Sequence, residues 1–224
     1  MLGLFASVDG RFFDGVTVNQ PASPPSVVII ERDARFENQT AERFSALEAE
    51  LAKQGIERVG YLGADRGVVT SSKVPVVIGL LARALPQNES WELSSTGELG
   101  EGAPAARTLA PAQYGINRGQ LSALEGRSQP IAVFDAALAN RTLEKPEFLV
   151  PMPARQSIPV LKASQLLTGD IASGELSGLV AMVVMPEALR GSLNTPLDPS
   201  NSATSEAVFR AHSVHALKLS LIHI

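Results

Sequence analysis

The feature that most constrains this chain is the unbroken β-branched run Val27–Ile30 (VVII), bounded by Pro24-Pro25 on one side and by Glu31, Arg32 and Asp33 on the other. A strand with one wet face alternates apolar and polar residues. A strand covered on both faces reads as a continuous Val/Ile/Leu run, which is the habit of parallel sheets. The lead into it, Gln20–Ser26 (QPASPPS), is stiff because each proline fixes its own φ and pushes the preceding residue toward extended geometry. Downstream, Thr40 is placed to cap a helix carrying Phe44, Leu47 and Leu51 at i, i+3 and i+7, Gly55 stops it, and Arg58–Leu62 follows as a second strand. Strand, helix and strand with short links make a βαβ unit, which implies a parallel sheet with a right-handed crossover.

The remaining chain continues the alternation. Pro75–Leu85 (PVVIGLLARAL) reads as a strand and then a helix. Residues Pro86–Pro111 are rich in loop formers, with one strand expected at Trp91–Leu93. A helix is expected from Pro130, with Ser128 near its cap and Ile131, Phe134 and Leu138 on one face. Phe148–Met152 reads as a strand and Ser157–Thr168 as a short helix stopped by Gly169. Leu179–Met185 is the most apolar strand of the chain, Asn194–Pro199 is a turn, and a last helix starts near Ser202 and carries Val208, Phe209 and Leu217. No repeat and no linker divides the 224 residues. The expectation is a single three-layer α/β domain spanning residues 1–217, with helices packed on a mostly parallel sheet.

Composition excludes several function classes. Nineteen basic against 23 acidic residues leave a net charge of -4, which is not the basic footprint of a nucleic-acid binder. Aromatics make up 5% with one Trp, too few for base-stacking platforms. The absence of cysteine removes thiol catalysis, disulfides and cysteine-held metals. No apolar stretch approaches the about 20 residues that span a bilayer. The apolar start Met1–Val8 lacks a preceding basic region, and residues 1–12 read either as the end of a membrane helix or as a segment packed on the core. The end, Leu219–Ile224 (LSLIHI), resembles one reading frame of a transposon-based sequencing adaptor, so 219–224 is expected to be a non-native tail and His223 carries no functional weight.

No familiar catalytic motif stands out. Gly97, Gly100 and Gly102 run G-x-x-G-x-G inside a loop, not the G-x-G-x-x-G that opens a helix after a strand, so a surface loop is the better reading. GELSG (174–178) puts Ser177 one place out of register for a nucleophile elbow. His212 and His215 lie three apart on the last helix and could share a metal, but no further ligands are identifiable, so no metal or cofactor is expected. Glu31, Asp33 and Asp65 follow the first two strands, at the sheet edge where ligands of parallel sheets gather. The same acids can equally serve as loop acids capping the helices that follow. The sequons at Asn38, Asn88 and Asn140 matter only in a eukaryotic secretory pathway.

The order of segments resembles the second type of CHASE domain, a sensory module associated with cyclases and histidine kinases. Phe13-Asp14, the Pro-rich lead and VVIIERD look like that family's opening, and residues 41–62 like its first crossover. QYGINR (113–118) with IAVFDAALA looks like its central segment. The most specific stretch is SIPVLKASQLLTGDIASGELSGLVAMVV, then the turn Thr195-Pro196-Leu197, then the helix AVFRAHSVHAL. The chain departs from the family where Ala34–Gln39 lacks the usual Trp-Pro segment, where Met185-Pro186 replaces a glycine turn, and where Arg210-Ala211-His212 stands in place of a His-Ala pair.

The resemblance implies a non-catalytic, ligand-sensing module outside the cytoplasmic membrane of a bacterium, anchored by flanking membrane helices and controlling a cytoplasmic cyclase or kinase. Implied partners are a small-molecule or protein ligand, the membrane through those helices, and a second copy of the chain. Glu31, Asp33 and Asp65 are then the candidate ligand-binding residues, and Val208, Phe209 and His212 lie on the helix expected to transmit the signal. The alternative is a soluble α/β enzyme or nucleotide-binding domain, which requires those three acids to converge in one pocket.

Overall fold

Alternation along the strands sets the layering. The structure, a computed structural model, describes residues 13–33, 36, 41–62, 74–80, 103–106, 119–121, 123–124, 131–141, 147–199 and 203–219. After a helical turn over residues 13–18 (α1), strand β1 (Val27–Glu31) leads through α2 (Ala41–Lys53) to β2 (Arg58–Leu62), β3 (Val76–Leu80) and β4 (Ala103–Ala106). Short strands β5 (Gly119–Leu121), β6 (Ala123–Leu124) and β7 (Ile131–Ala132) precede α3 (Phe134–Ala139) and β8 (Glu147–Leu149). Then come β9 (Val160–Lys162), α4 (Ala163–Thr168), β10 (Val180–Val184), a 3₁₀ turn (Pro186–Leu189), the ribbon β11 (Gly191–Leu193) with β12 (Thr204–Ser205), and α5 (Glu206–Lys218).

The central sheet has six strands in the order β4-β3-β2-β10-β1-β9, and every pairing within it is parallel. Val27, Ile29, Val180, Met182 and Val184 face the layer of α3 and α5, while Val28, Ile30, Val59, Tyr61, Ala181 and Val183 face that of α2 and α4. The chain is thus the expected single α/β domain, with a sheet between two helical layers. β10 is buried at every residue because it lies in the middle, inserted between β1 and β2 in register with both. Its continuous apolar sequence is the consequence. Pro104 is tolerated in β4 because that strand is an edge.

Two glycines bring α3 close to the sheet. A β-carbon on Gly60 would lie 2.7 Å from the Phe134 ring and 2.9 Å from Leu138, and one on Gly79 would lie 2.9 Å from Phe134. Phe134, fully buried, occupies the space those absent side chains leave. Gly55 and Gly169 end α2 and α4 with φ of 78° and 76°, as the sequence indicates.

The local readings differ from the structure where a strand depends on a distant partner. The helix expected from Pro130 begins only at Phe134, because Ile131 and Ala132 pair with Leu124 and Ala123. Ser157–Thr168 is not all helix: Val160–Lys162 pairs with β1 as an edge strand before α4 starts. β8 ends at Leu149 and pairs antiparallel with β5, outside the main sheet. The last helix starts at Glu206, after β12, with Ser205 Oγ accepting from the Val208 amide at 3.1 Å. The strand at Trp91–Leu93, the helix after Leu80, Thr40 and the glycines at 97, 100 and 102 lie outside the described residues.

Candidate functional site

Parallel sheets offer a crevice where neighbouring strands send their exits to opposite faces. Here that place is the carboxyl end of β1 and β10. The chain leaves β1 toward α2 on one layer and leaves β10, through the 3₁₀ turn and the β11–β12 ribbon, toward α5 on the other. Glu31 closes β1 there, half-buried, in register between Val184 and Lys162. By strand alternation it continues the α3/α5 face. Arg32 follows on the opposite face, largely buried, its guanidinium 5.0 Å from the Phe44 ring centre and 6.0 Å from that of Phe36. Behind it Tyr61 donates to Glu48 Oε1 at 2.8 Å, and burial first, then the Glu48 charge, pushes the phenol far above its ordinary range.

Asp33 is committed to the fold. Its carboxylate accepts from the Ser164 hydroxyl at 2.5 Å and from the Ser164 amide at 3.3 Å, so it caps the first turn of α4 and ties the exit of β1 to it. Of the two readings of the post-strand acids, capping is the one the structure realises for Asp33, although the helix it caps lies far along the chain. The chain turns between the two acids, the Asp33 amide donating to the Glu31 carbonyl at 3.0 Å, and it is Asp33 that engages α4. Asp65 lies outside the described residues.

From this edge α5 runs back across the sheet. Its 13 residues span about 20 Å. Phe209 and His212 are buried and Val208 is partly buried against the core. The helix is covered almost all round, which its mixed sequence does not suggest, and its polar residues are therefore held by specific partners. Arg210, whose side chain is 1% exposed, reaches Asp135 of α3 at 2.8 Å and Glu206 one turn earlier at 2.8 Å. Burial works against the guanidinium charge, but the two carboxylates outweigh it and hold its pKa above the ordinary value.

At the other end, His215 touches the lead into β1. Nδ1 is 2.8 Å from Ser26 Oγ and accepts from the Ser26 amide at 3.3 Å, and Nε2 is 2.8 Å from Ser23 Oγ. Gln156 accepts from the Ser23 amide at 2.9 Å and donates to the Ser23 carbonyl at 3.0 Å. Because Nδ1 accepts from a main-chain N–H, the ring is neutral with its proton on Nε2. Neither nitrogen is then free to act as a base on Ser23 or to join His212 at a metal. Burial lowers the His215 pKa. Burial and then the neighbouring His215 lower that of His212 to about 4. The Nδ1 of His212 is buried without a hydrogen-bond partner among the described residues. Lys218, at the end of α5, pairs with Glu57 just before β2.

Sequence reasoning noted Arg210 only as a departure from the resembled family and did not pair it with Asp135, and it gave no role to Arg32 or to the serines under His215. A signal for the first two existed: Phe134-Asp135 and Phe209-Arg210 each set a charge, of opposite sign in the two helices, directly beside a core phenylalanine. Among the described residues no group of three His, Cys, Asp or Glu could hold a metal, and no helix is long and apolar enough to cross a membrane. Comparison with family models, curated proteins and solved structures gave no match.

Proposed function

We propose that this domain is the ligand-sensing, extracytoplasmic module of a bacterial membrane receptor, similar to the second type of CHASE domain, and that α5 carries its signal to a cytoplasmic cyclase or kinase. The observation that carries this reading is the course of α5. One buried helix links the carboxyl edge of the sheet, the side on which parallel sheets bind ligands, to the opposite edge, where His215 and Lys218 contact Ser23, Ser26 and Glu57. The segment entering β1 and the end of the last helix thus meet on one side of the domain. That geometry suits a module suspended between two membrane segments.

A helix with charged and hydrogen-bonded anchors deep in a core moves as a unit between discrete seats rather than bending. A shift of about 1–2 Å is the usual scale for signalling helices. A ligand favouring one seat shifts the population in proportion to its differential affinity. The enzyme alternative requires Glu31, Asp33 and Asp65 to converge, and the engagement of Asp33 with Ser164 does not favour it.

The deciding experiment is recovery of the coding sequence on both sides of this segment. Membrane helices on each side with a cyclase or kinase beyond are the expected result. A stop codon directly after α5, with no membrane segment upstream, would overturn the proposal.

A further inference from the structure

We infer that the contact of His215 with Ser23 and Ser26, together with His212 one turn earlier, is an acid-operated latch that holds the lead into β1 against α5 and releases it when the imidazoles take up protons. The receptor reading would gain a stimulus class from this, hydrogen ions, but the latch does not rest on that reading.

The geometry supplies the switch. The Ser26 amide donates to Nδ1 of His215, and a main-chain N–H cannot turn round to accept. A proton on Nδ1 therefore faces a fixed donor. The Ser26 and Ser23 hydroxyls can rotate, yet they cannot replace the lost acceptor for that amide. His212 adds to the effect. A proton on its buried Nδ1 meets no acceptor among the described residues, and the two rings, three residues apart on one helix, repel when both are charged. Burial lowers the proton affinity of both rings in the closed arrangement, so opening is coupled to proton uptake.

Nearby charges do not compensate. On α3, Asp135 is bound to Arg210, as is Glu206 at the start of α5. β1 presents apolar residues up to Glu31 at its far end, the 3₁₀ turn carries Glu187, and β11 and β12 carry no charge. Lys218 is itself a cation and is paired with Glu57, while α1 contributes Asp14 and the loop bearing Gln156 contributes Arg155. The charge acting on His212 is that of His215, and burial alone acts on His215.

The test is amide hydrogen exchange on the complete chain, read as protection factors at Ser26 and, as a reference, at Val59 in β2. Between about pH 7 and pH 5, protection at Ser26 is expected to fall on the order of tenfold for each histidine that gains a proton on opening, and to stay well below that of Val59, which is lost only with the whole fold. In His215→Gln, whose amide can both accept and donate but does not titrate, the fall at Ser26 should be smaller by on the order of tenfold, leaving the share of His212. The latch is refuted if Ser26 is as well protected as Val59 at pH 5, if Ser26 protection does not change with pH in the wild type, or if His215→Gln shows the full fall. Since this readout needs only the chain itself, its failure is distinct from failure of the receptor reading, which the flanking gene sequence decides.

Discussion

Replacing Asp135 by Asn removes one charge from the buried bridge between α3 and α5 while keeping the shape of the side chain. Arg210 and Asp135 are 1% and 0% exposed at their side chains, and their contact is 2.8 Å. Taking one partner out of a pair so deeply buried leaves an uncompensated charge and costs about 3–5 kcal/mol. Glu206 stays within 2.8 Å of the guanidinium, but its side chain is 21% exposed and water screens part of its attraction. The lower end of the range, about 3 kcal/mol, is therefore expected. With a urea slope of about 2–3 kcal/mol/M for a domain of this size, that is a midpoint lower by about 1–1.5 M, followed by far-UV circular dichroism. A second variant separates the charge from the contact. Asp135→Leu combined with Arg210→Met replaces the pair by apolar bulk and should return to within about 1 kcal/mol of the wild type, since such swaps are commonly neutral or better. A midpoint shift below about 0.3 M for Asp135→Asn, or a double variant as unstable as the single one, would refute the claim that this bridge is buried and coupled.

Three further outcomes are expected. His212 is neutral in the folded chain down to about pH 4, whereas unfolded it protonates near 6.5, so the unfolded state holds more protons between those values. Its contribution, up to about 3 kcal/mol, is complete above pH 6.5 and is lost as the pH falls toward 4; urea midpoints across that window should slope upward with pH in the wild type and more weakly in His212→Leu, and equal slopes would count against it. Gly60→Ala places a β-carbon 2.7 Å from the Phe134 ring and should cost about 1–3 kcal/mol in thermal unfolding, with partial recovery when Phe134→Leu is added. Asp33→Ala removes the acceptor for Ser164 and should cost about 1 kcal/mol, with faster amide exchange in the first turn of α4; unchanged exchange there would argue against the cap.

What the sequence determined alone is what local chemistry and burial can write into neighbouring residues. VVII and LVAMVV have no polar face to offer water, so they demand cover on both sides, and the stops at Gly55 and Gly169 need backbone angles that glycine supplies cheaply. From these the layered parallel α/β class and the positions of β1, α2, β2 and β10 were legible. The tertiary structure decided the rest, because each remaining feature depends on a partner far along the chain. β10 enters between β1 and β2, and Val160–Lys162 becomes a strand only because the edge of β1 is open to it. Asp33 gives up a free carboxylate for Ser164, and Arg210 finds Asp135 on another helix. His215 acquires its fixed tautomer from two serines before β1. No pattern in a single sequence encodes such meetings directly; they follow from the order in which strands fill the sheet, and only that order brings these polar groups out of water and into contact.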